Sequence, residues 1–156
     1  ECLRVLLKHV ESAVVSTAHR SCLKNIGHFL GLLTLARNKP LKAKNVDMKQ
    51  LLLRAYDRGW LTAILPLVCK VMEGARASKV FKLPNPWTMA IMGVLGEIHD
   101  LPHLRTNLMF EVEVMCNSTG LSLDRVTRVG LLKDRTLQNY NDFTWYFFFI
   151  KISIFQ

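Results

Sequence analysis

Apolar residues recur at helical spacing along almost the whole chain, and this constrains the fold more than any other feature. The clearest case is the i, i+3, i+4, i+7, i+8 series Met48, Leu51, Leu52, Ala55 and Tyr56, which marks one face of an amphipathic helix. Half of the 156 residues are hydrophobic and 21% are charged. Such a composition supports a packed core and argues against extensive disorder.

The first part of the chain predicts two helices. Residues 2–10 have the pattern of a helix, and Ser21 is the expected cap of a second helix that runs to about Arg37. Phe29 and Leu32 widen the apolar stripe of that second helix, which predicts packing on two sides. Asn38 is expected to end it, because asparagine tolerates the left-handed backbone of a helix terminus.

Four further helices are predicted from their end signals. Asp47 is a cap residue, and Gly59 ends the helix that it opens. The fourth helix follows Gly59 at once, so the third and fourth are expected to form an antiparallel pair. Asn85 and Pro86 give a strong start signal for the fifth helix, and Gly120 is the expected end of the sixth.

The spacing of these starts indicates a repeat. Asp47 and Pro86 lie 39 residues apart, close to the period of about 40–47 residues in HEAT-type helical pairs. Short turns and this period favour stacked pairs over a closed four-helix bundle. The predicted fold is therefore all-α, with antiparallel helix pairs stacked as a partial HEAT-like solenoid of about six helices.

The pattern predicts a domain over residues 1–126 and a different segment over 127–156. Because Glu1 falls inside an apolar helical pattern, the chain is interpreted as a fragment of a longer protein. The tail ends in WYFFFIKISIF at 145–155, which is too short to span a membrane as a helix. We interpret the tail as non-native or disordered, the alternative being a docking segment for another domain.

The positive charge of the chain is concentrated in one region. Residues 20–82 carry thirteen Lys and Arg against three Asp and Glu, whereas residues 83–126 carry two against five. Such a distribution indicates a basic face for an acidic partner, either nucleic acid or protein, or else a solvated surface. Phe81 and Trp87 lie beside Lys79 and Lys82. Exposed aromatic residues beside cations can stack on bases or anchor a protein interface, and the alternative is that these two rings belong to the core.

Motifs of catalysis are absent from the sequence. It contains no phosphate-binding glycine loop, no HExxH and no GxSxG motif, so an enzyme and a bound cofactor are not expected. His99 and His103 have the spacing of two metal ligands on a helix, but Pro102 and a predicted turn lie between them. The four cysteines form no CxxC pair and lie among apolar neighbours, which is typical of free thiols in a reducing compartment.

Long stretches of the sequence resemble one known domain. They are LKNIGHFLG with TLARNKP within 23–40, PNPWTMAIM at 84–92 and NLMFEVEVMC at 107–116. Over about residues 2–126 the chain is similar to the central HEAT-repeat domain of the scaffold subunit of the CCR–NOT mRNA deadenylase complex. That domain is of the type named after the middle domain of translation initiation factor four-G.

The resemblance implies a non-catalytic docking platform. In that family the domain holds a CAF-type deadenylase, which removes poly(A) tails, and a DEAD-box RNA helicase of translational repression. It also implies contacts to other subunits through regions outside this chain, no membrane association, and a location in the cytoplasm, including mRNA decay granules, and in the nucleus. The alternative hypothesis is a helical domain that binds RNA directly through its basic face. The candidate partner-binding residues are Arg37, Asn38, Lys39, Arg54, Arg58, Phe81, Lys82 and Asn85.

Overall fold

The computed structural model describes residues 2–144, and these form an all-α fold. Three short 3₁₀ turns, Leu35–Arg37, Glu73–Arg76 and Leu123–Arg125, supplement the α-helices. The described residues contain no strand, only an isolated antiparallel bridge between Leu104 and Phe143. Residues 2–144 form seven α-helices: α1 Cys2–Lys8, α2 Val10–Val15, α3 Thr17–Leu33, α4 Met48–Arg58, α5 Leu61–Met72, α6 Pro86–His99 and α7 Thr106–Thr119.

Most of the predicted helix ends are confirmed. The Asp47 carboxylate accepts from the amide of Gln50 at the start of α4, and Gly59 ends α4 with a φ of 70°. The Asn85 side chain accepts from two amides in the first turn of α6. Gly120 ends α7 in the left-handed region. At each position the residue type supplies the hydrogen bond or the backbone conformation that a helix terminus needs.

The prediction for α3 was wrong in two respects. The helix begins at Thr17, because Ser16 rather than Ser21 accepts a hydrogen bond from the first turn. The predicted packing on two sides does not occur at Phe29 and Leu32, which are 61% and 47% exposed. The apolar stripe is therefore wider than the face that the described residues cover.

The helices pack in two layers around α5. Helix α5 contacts α3 and α7, whereas α4 contacts both α5 and α6. The interior side chains of α5, among them Ile64, Leu67 and Val71, are fully buried. One layer is therefore α3, α5 and α7, and the other holds α4 and α6, as expected for stacked helical pairs.

Glycines set the distance between α3 and α5. A β-carbon added at Gly27 would lie 2.5 Å from the backbone oxygen of Leu67, and one at Gly31 would lie 2.6 Å from that of Val71. A β-carbon at Gly74 would collide with the backbone of Gly31. Backbone atoms cannot rotate away as a side chain can, so these positions require glycine for the helices to approach this closely.

The segment 127–144 packs on the helices, beyond the predicted boundary at 126. Leu132 and Phe143 are buried with the core residues. The Glu97 carboxylate of α6 accepts from three backbone amides of the segment, those of Val129, Gly130 and Leu132, at 2.8–3.0 Å. Residues 127–144 therefore pack against the helices. The run WYFFFIKISIF at 145–155 lies outside the described residues.

A buried carboxylate joins the end of this segment to the start of α5. Asp142 is fully buried, and its side chain accepts from the Leu61 amide at 2.9 Å and from the Thr62 amide and hydroxyl at 3.0 and 2.9 Å. Trp60, the residue that precedes α5, supplies no side-chain cap. Asp142 thus caps α5 from about eighty positions away in the sequence.

Candidate protein-binding surface

Asn38 fastens two loops to each other. Its carboxamide oxygen accepts from the Ser78 hydroxyl at 2.9 Å, the Lys79 amide at 2.7 Å and the Val80 amide at 3.2 Å. Its backbone adopts the left-handed conformation with a φ of 58°. The carboxamide oxygen is thus occupied within the domain, and it positions the two loops relative to each other.

Phe81 and Asn85 also have structural roles. Phe81 is only 5% exposed and packs edge-on against Trp87, with ring centroids 5.6 Å apart. Of the two alternatives for Phe81, the structure supports a core residue, because the turn after Ser78 directs the ring inwards. The Asn85 oxygen is used by the amides of Trp87 and Thr88. Phe81 therefore presents no aromatic ring to solvent, and the Asn85 oxygen is occupied within the domain.

The cations around Asn38 are exposed and form what we call the basic edge. Arg37 and Lys39 flank Asn38, and Lys79 donates its backbone amide to it. Neither of the two loop segments, 36–46 and 74–84, contains an Asp or Glu. The basic edge comprises seven exposed residues: Arg37, Lys39, Lys42, Lys44, Arg76, Lys79 and Lys82.

Arg54 and Arg58 belong to a second surface. Both are exposed on α4, and the guanidinium of Arg58 lies 4.8 Å from the centroid of the Trp60 ring. Arg58 and Trp60 line an open cleft of about 430 Å³ together with Val15 of α2 and residues of the C-terminal segment. Arg54 lines an adjoining depression that shares Arg58 and Trp60. We call this surface the Trp60 cleft.

An ion pair and a backbone hydrogen bond hold the C-terminal segment against α4 beside the Trp60 cleft. Arg135 and Asp57 form two contacts, at 2.7 and 2.5 Å, and the Gln138 amide donates to the Asp57 carbonyl at 2.6 Å. The hydrogen bonds to the Asp57 carboxylate raise the pKa of Arg135 above its ordinary value, so the guanidinium stays charged. The C-terminal segment therefore forms one wall of the cleft, which the sequence analysis did not anticipate.

The structure also reveals exposed apolar side chains that the sequence analysis placed in the core or did not single out. On α2, Val15 is 82% exposed, and Phe110 of α7 is 61% exposed, as is Phe29 of α3. Apolar side chains at the surface are enriched where proteins bind one another. Helical spacing could not separate these residues from the core, since a stripe of apolar residues has the same pattern in either case.

The two histidines at metal-ligand spacing do not face a shared site. His99 contacts Glu113 of α7 at 3.0 Å and Asp100 at 3.3 Å, while His103 has a φ of 63° in the following turn. Burial alone would lower the pKa of His99, but these hydrogen bonds outweigh it and raise the pKa above its ordinary value. Within residues 2–144, no three His, Cys, Asp or Glu residues cluster closely enough to hold a metal.

The cysteines present no reactive thiol pair within the described part of the chain, where all four are free. Cys69 is fully buried, and burial raises the pKa of its thiol far above the ordinary range. A thiol with a raised pKa is a poor nucleophile, so Cys69 acts as a small core residue.

Within residues 2–144, no helix has the length and the apolar composition that crossing a bilayer would require.

A sequence model of one protein family matches most of this chain. The model is described as the CCR4-NOT transcription complex subunit 1 CAF1-binding domain, and it matches residues 1–142. The chain belongs to this family of CAF1-binding domains. The match extends through Asp142, and it therefore covers most of the segment that packs beyond residue 126.

The curated relatives of this CAF1-binding domain are much longer proteins. The chain is 39% identical over 124 residues to general negative regulator of transcription subunit 1 of Schizosaccharomyces pombe, covering 80% of the chain and 6% of the relative. It is 36% identical over 136 residues to CCR4-NOT transcription complex subunit let-711 of Caenorhabditis elegans, with 85% and 5% covered. To general negative regulator of transcription subunit 1 of Saccharomyces cerevisiae it is 39% identical over 120 residues, covering 77% of the chain and 6% of the relative.

Proposed function

We propose that this chain is a non-catalytic scaffold domain that docks a CAF-type poly(A) nuclease within a CCR4–NOT-type complex. The observation that carries this proposal is the match of residues 1–142 to a family of CAF1-binding domains. By bringing the nuclease to its messenger RNA targets, such a domain would support deadenylation, mRNA decay and translational repression. We place this activity in the cytoplasm and in the nucleus.

The Trp60 cleft is the surface that best suits a protein partner. Tryptophan and arginine are the residue types most enriched among the side chains that dominate binding energies. Arg58 is held over Trp60, so less conformational entropy is lost when a partner covers both. The exposed Val15 adds apolar area at the rim. An acidic surface of the nuclease would complement Arg54 and Arg58.

Reversal of charge in the Trp60 cleft tests this assignment. We expect Arg54→Glu/Arg58→Glu to weaken binding of a purified CAF-type deadenylase by at least about tenfold, the effect of losing roughly 1.4 kcal/mol at an interface. Both residues are exposed, so helicity measured by circular dichroism should not change. Binding is measured by quantitative pull-down over a range of nuclease concentrations.

A matched control separates a local effect from a change in total charge. Arg4→Glu/Lys133→Glu reverses two exposed cations that are distant from Arg54 and Arg58 in the sequence. It changes the total charge by the same four units, and its affinity for the nuclease should remain that of the unchanged chain. Equal affinities for the cleft variant and this control would remove Arg54 and Arg58 from the docking surface.

A DEAD-box RNA helicase is the second partner that we propose. Support for it comes from the family resemblance of the sequence, and a scaffold that holds both proteins would couple tail removal to translational repression. The same two variants are tested against a purified helicase in a separate titration. A folded chain that binds the nuclease but gives no signal with the helicase would restrict the proposal to the nuclease.

A further inference from the structure

The basic edge is distinguished by seven exposed cations on two loop segments that contain no Asp or Glu. No ion pair within the described residues involves any of its seven members. Four cations elsewhere are each paired with a carboxylate, in the contacts Lys24–Glu111, Lys70–Glu73, Arg128–Asp100 and Arg135–Asp57. The positive charge of the basic edge is therefore uncompensated by the protein.

The fold gathers this charge from two distant parts of the sequence. The three hydrogen bonds of Asn38 hold the loop that contains Arg37 and Lys39 against the loop that contains Lys79. Buried Leu41 and Phe81 anchor the two loops from below. Like charges held together repel, and a polyanion that neutralises them gains the corresponding attraction.

The composition of the basic edge favours a phosphate backbone over a protein surface. Protein interfaces are centred on aromatic or aliphatic anchors in desolvated pockets. Here the one aromatic residue, Phe81, is buried, and Val80 is the large apolar side chain that stays exposed, at 51%. Five of the seven cations are lysines, which bind phosphate as flexible point charges without a fixed geometry.

We propose that the basic edge binds the phosphate backbone of single-stranded RNA. Because no exposed aromatic ring accompanies the cations, contact is made through phosphates and not through stacked bases, so different base sequences bind alike. This inference does not depend on the docking of a nuclease. If the domain also carries a nuclease, the basic edge would hold the RNA substrate beside it.

The test is fluorescence anisotropy of a labelled 20-nucleotide oligo(A), titrated with the intact chain at several salt concentrations. Each phosphate neutralised on a single strand contributes about −0.7 to the slope of log affinity against log salt. We expect Lys39→Glu/Lys79→Glu/Lys82→Glu to weaken binding at least about tenfold and to flatten that slope by about 2. Oligo(U) should bind with the same affinity as oligo(A).

The control variant carries the same change of total charge outside both loops of the basic edge. Arg4→Glu/Arg125→Glu/Lys133→Glu replaces three exposed cations, and its RNA affinity should stay within about twofold of the unchanged chain. Equal losses in the two triple variants would overturn the proposal, as would an absence of RNA binding by the folded chain. A strong preference for oligo(A) over oligo(U) would also overturn it, since it requires base contacts.

An acidic peptide distinguishes RNA from an acidic protein as the ligand. A labelled oligoglutamate with the same number of charges is titrated against the same three proteins. We expect it to bind at least about tenfold more weakly than the RNA, because the proposed ligand is a phosphate backbone and not a run of carboxylates. If oligoglutamate binds as tightly as RNA and loses affinity in the same variant, the basic edge is a protein-docking surface and the RNA proposal fails.

Discussion

Replacing Gly31 with alanine is expected to lower the free energy of unfolding by about 3 kcal/mol. The added methyl carbon would lie 2.6 Å from the backbone oxygen of Val71 and 3.1 Å from that of Lys70. Neither atom can move without displacing α5, so α3 must shift away and lose part of its packing. The measurement is the unfolding free energy from urea titration followed by circular dichroism.

Gly93→Ala is the matched control for this effect. Gly93 lies inside α6, and its added β-carbon would meet no atom closer than 3.4 Å. There alanine should stabilise the protein by up to about 1 kcal/mol, because it favours a helix over glycine by that amount. If Gly31→Ala and Gly93→Ala unfold at the same urea concentration, the close approach of α3 and α5 does not occur as described.

Removal of the Asp142 side chain is expected to lower the free energy of unfolding by about 2–3 kcal/mol. Leu61 is fully buried, and in Asp142→Ala its amide would lose its hydrogen-bond acceptor. The Thr62 amide and hydroxyl would lose theirs as well. The variant is compared with the unchanged chain by thermal and urea unfolding at neutral pH.

Asp142→Asn separates the hydrogen bonds from the charge. Burial raises the pKa of Asp142, although its bonds to Leu61 and Thr62 and the charge of Arg105 oppose this shift. A raised pKa means that the folded state binds this proton more tightly than the unfolded state does. The resulting contribution to stability is fully present below the ordinary pKa of an aspartate and is lost as the pH rises through the raised pKa. Asparagine keeps one acceptor oxygen and has no charge to bury. Asp142→Asn should therefore lower the free energy of unfolding by less than Asp142→Ala does. Equal losses would show that the charge of the carboxylate, and not its acceptor oxygens alone, stabilises the start of α5. No loss in Asp142→Ala would show that the cap contributes nothing.

The helices could be predicted from the sequence where local chemistry sets their ends. Asp47, Gly59, Asn85 and Gly120 each act on backbone groups within a few residues, so their effect is visible in the nearby sequence. Distant contacts were not predictable in this way. The cap that Asp142 places on α5 depends on where the C-terminal segment runs, and no local pattern encodes that path.

The candidate site could be predicted only in part, for a related reason. Charge is additive along a chain, so the sequence located the basic region that contains Arg37, Lys39 and Lys82. It could not show that the side chains of Asn38 and Phe81 face other parts of the domain. Which residues of an apolar stripe remain exposed, as Phe29 does, depends on which neighbours cover the helix, and periodicity carries no information on that.

The most direct measurement of the docking function is sedimentation velocity on the folded chain mixed with an equimolar amount of a purified CAF-type deadenylase. We expect a one-to-one complex with a Kd near or below about 1 μM, in the range of specific protein interfaces. Two separate boundaries at concentrations up to about 100 μM, from a chain that circular dichroism shows to be folded, would contradict it.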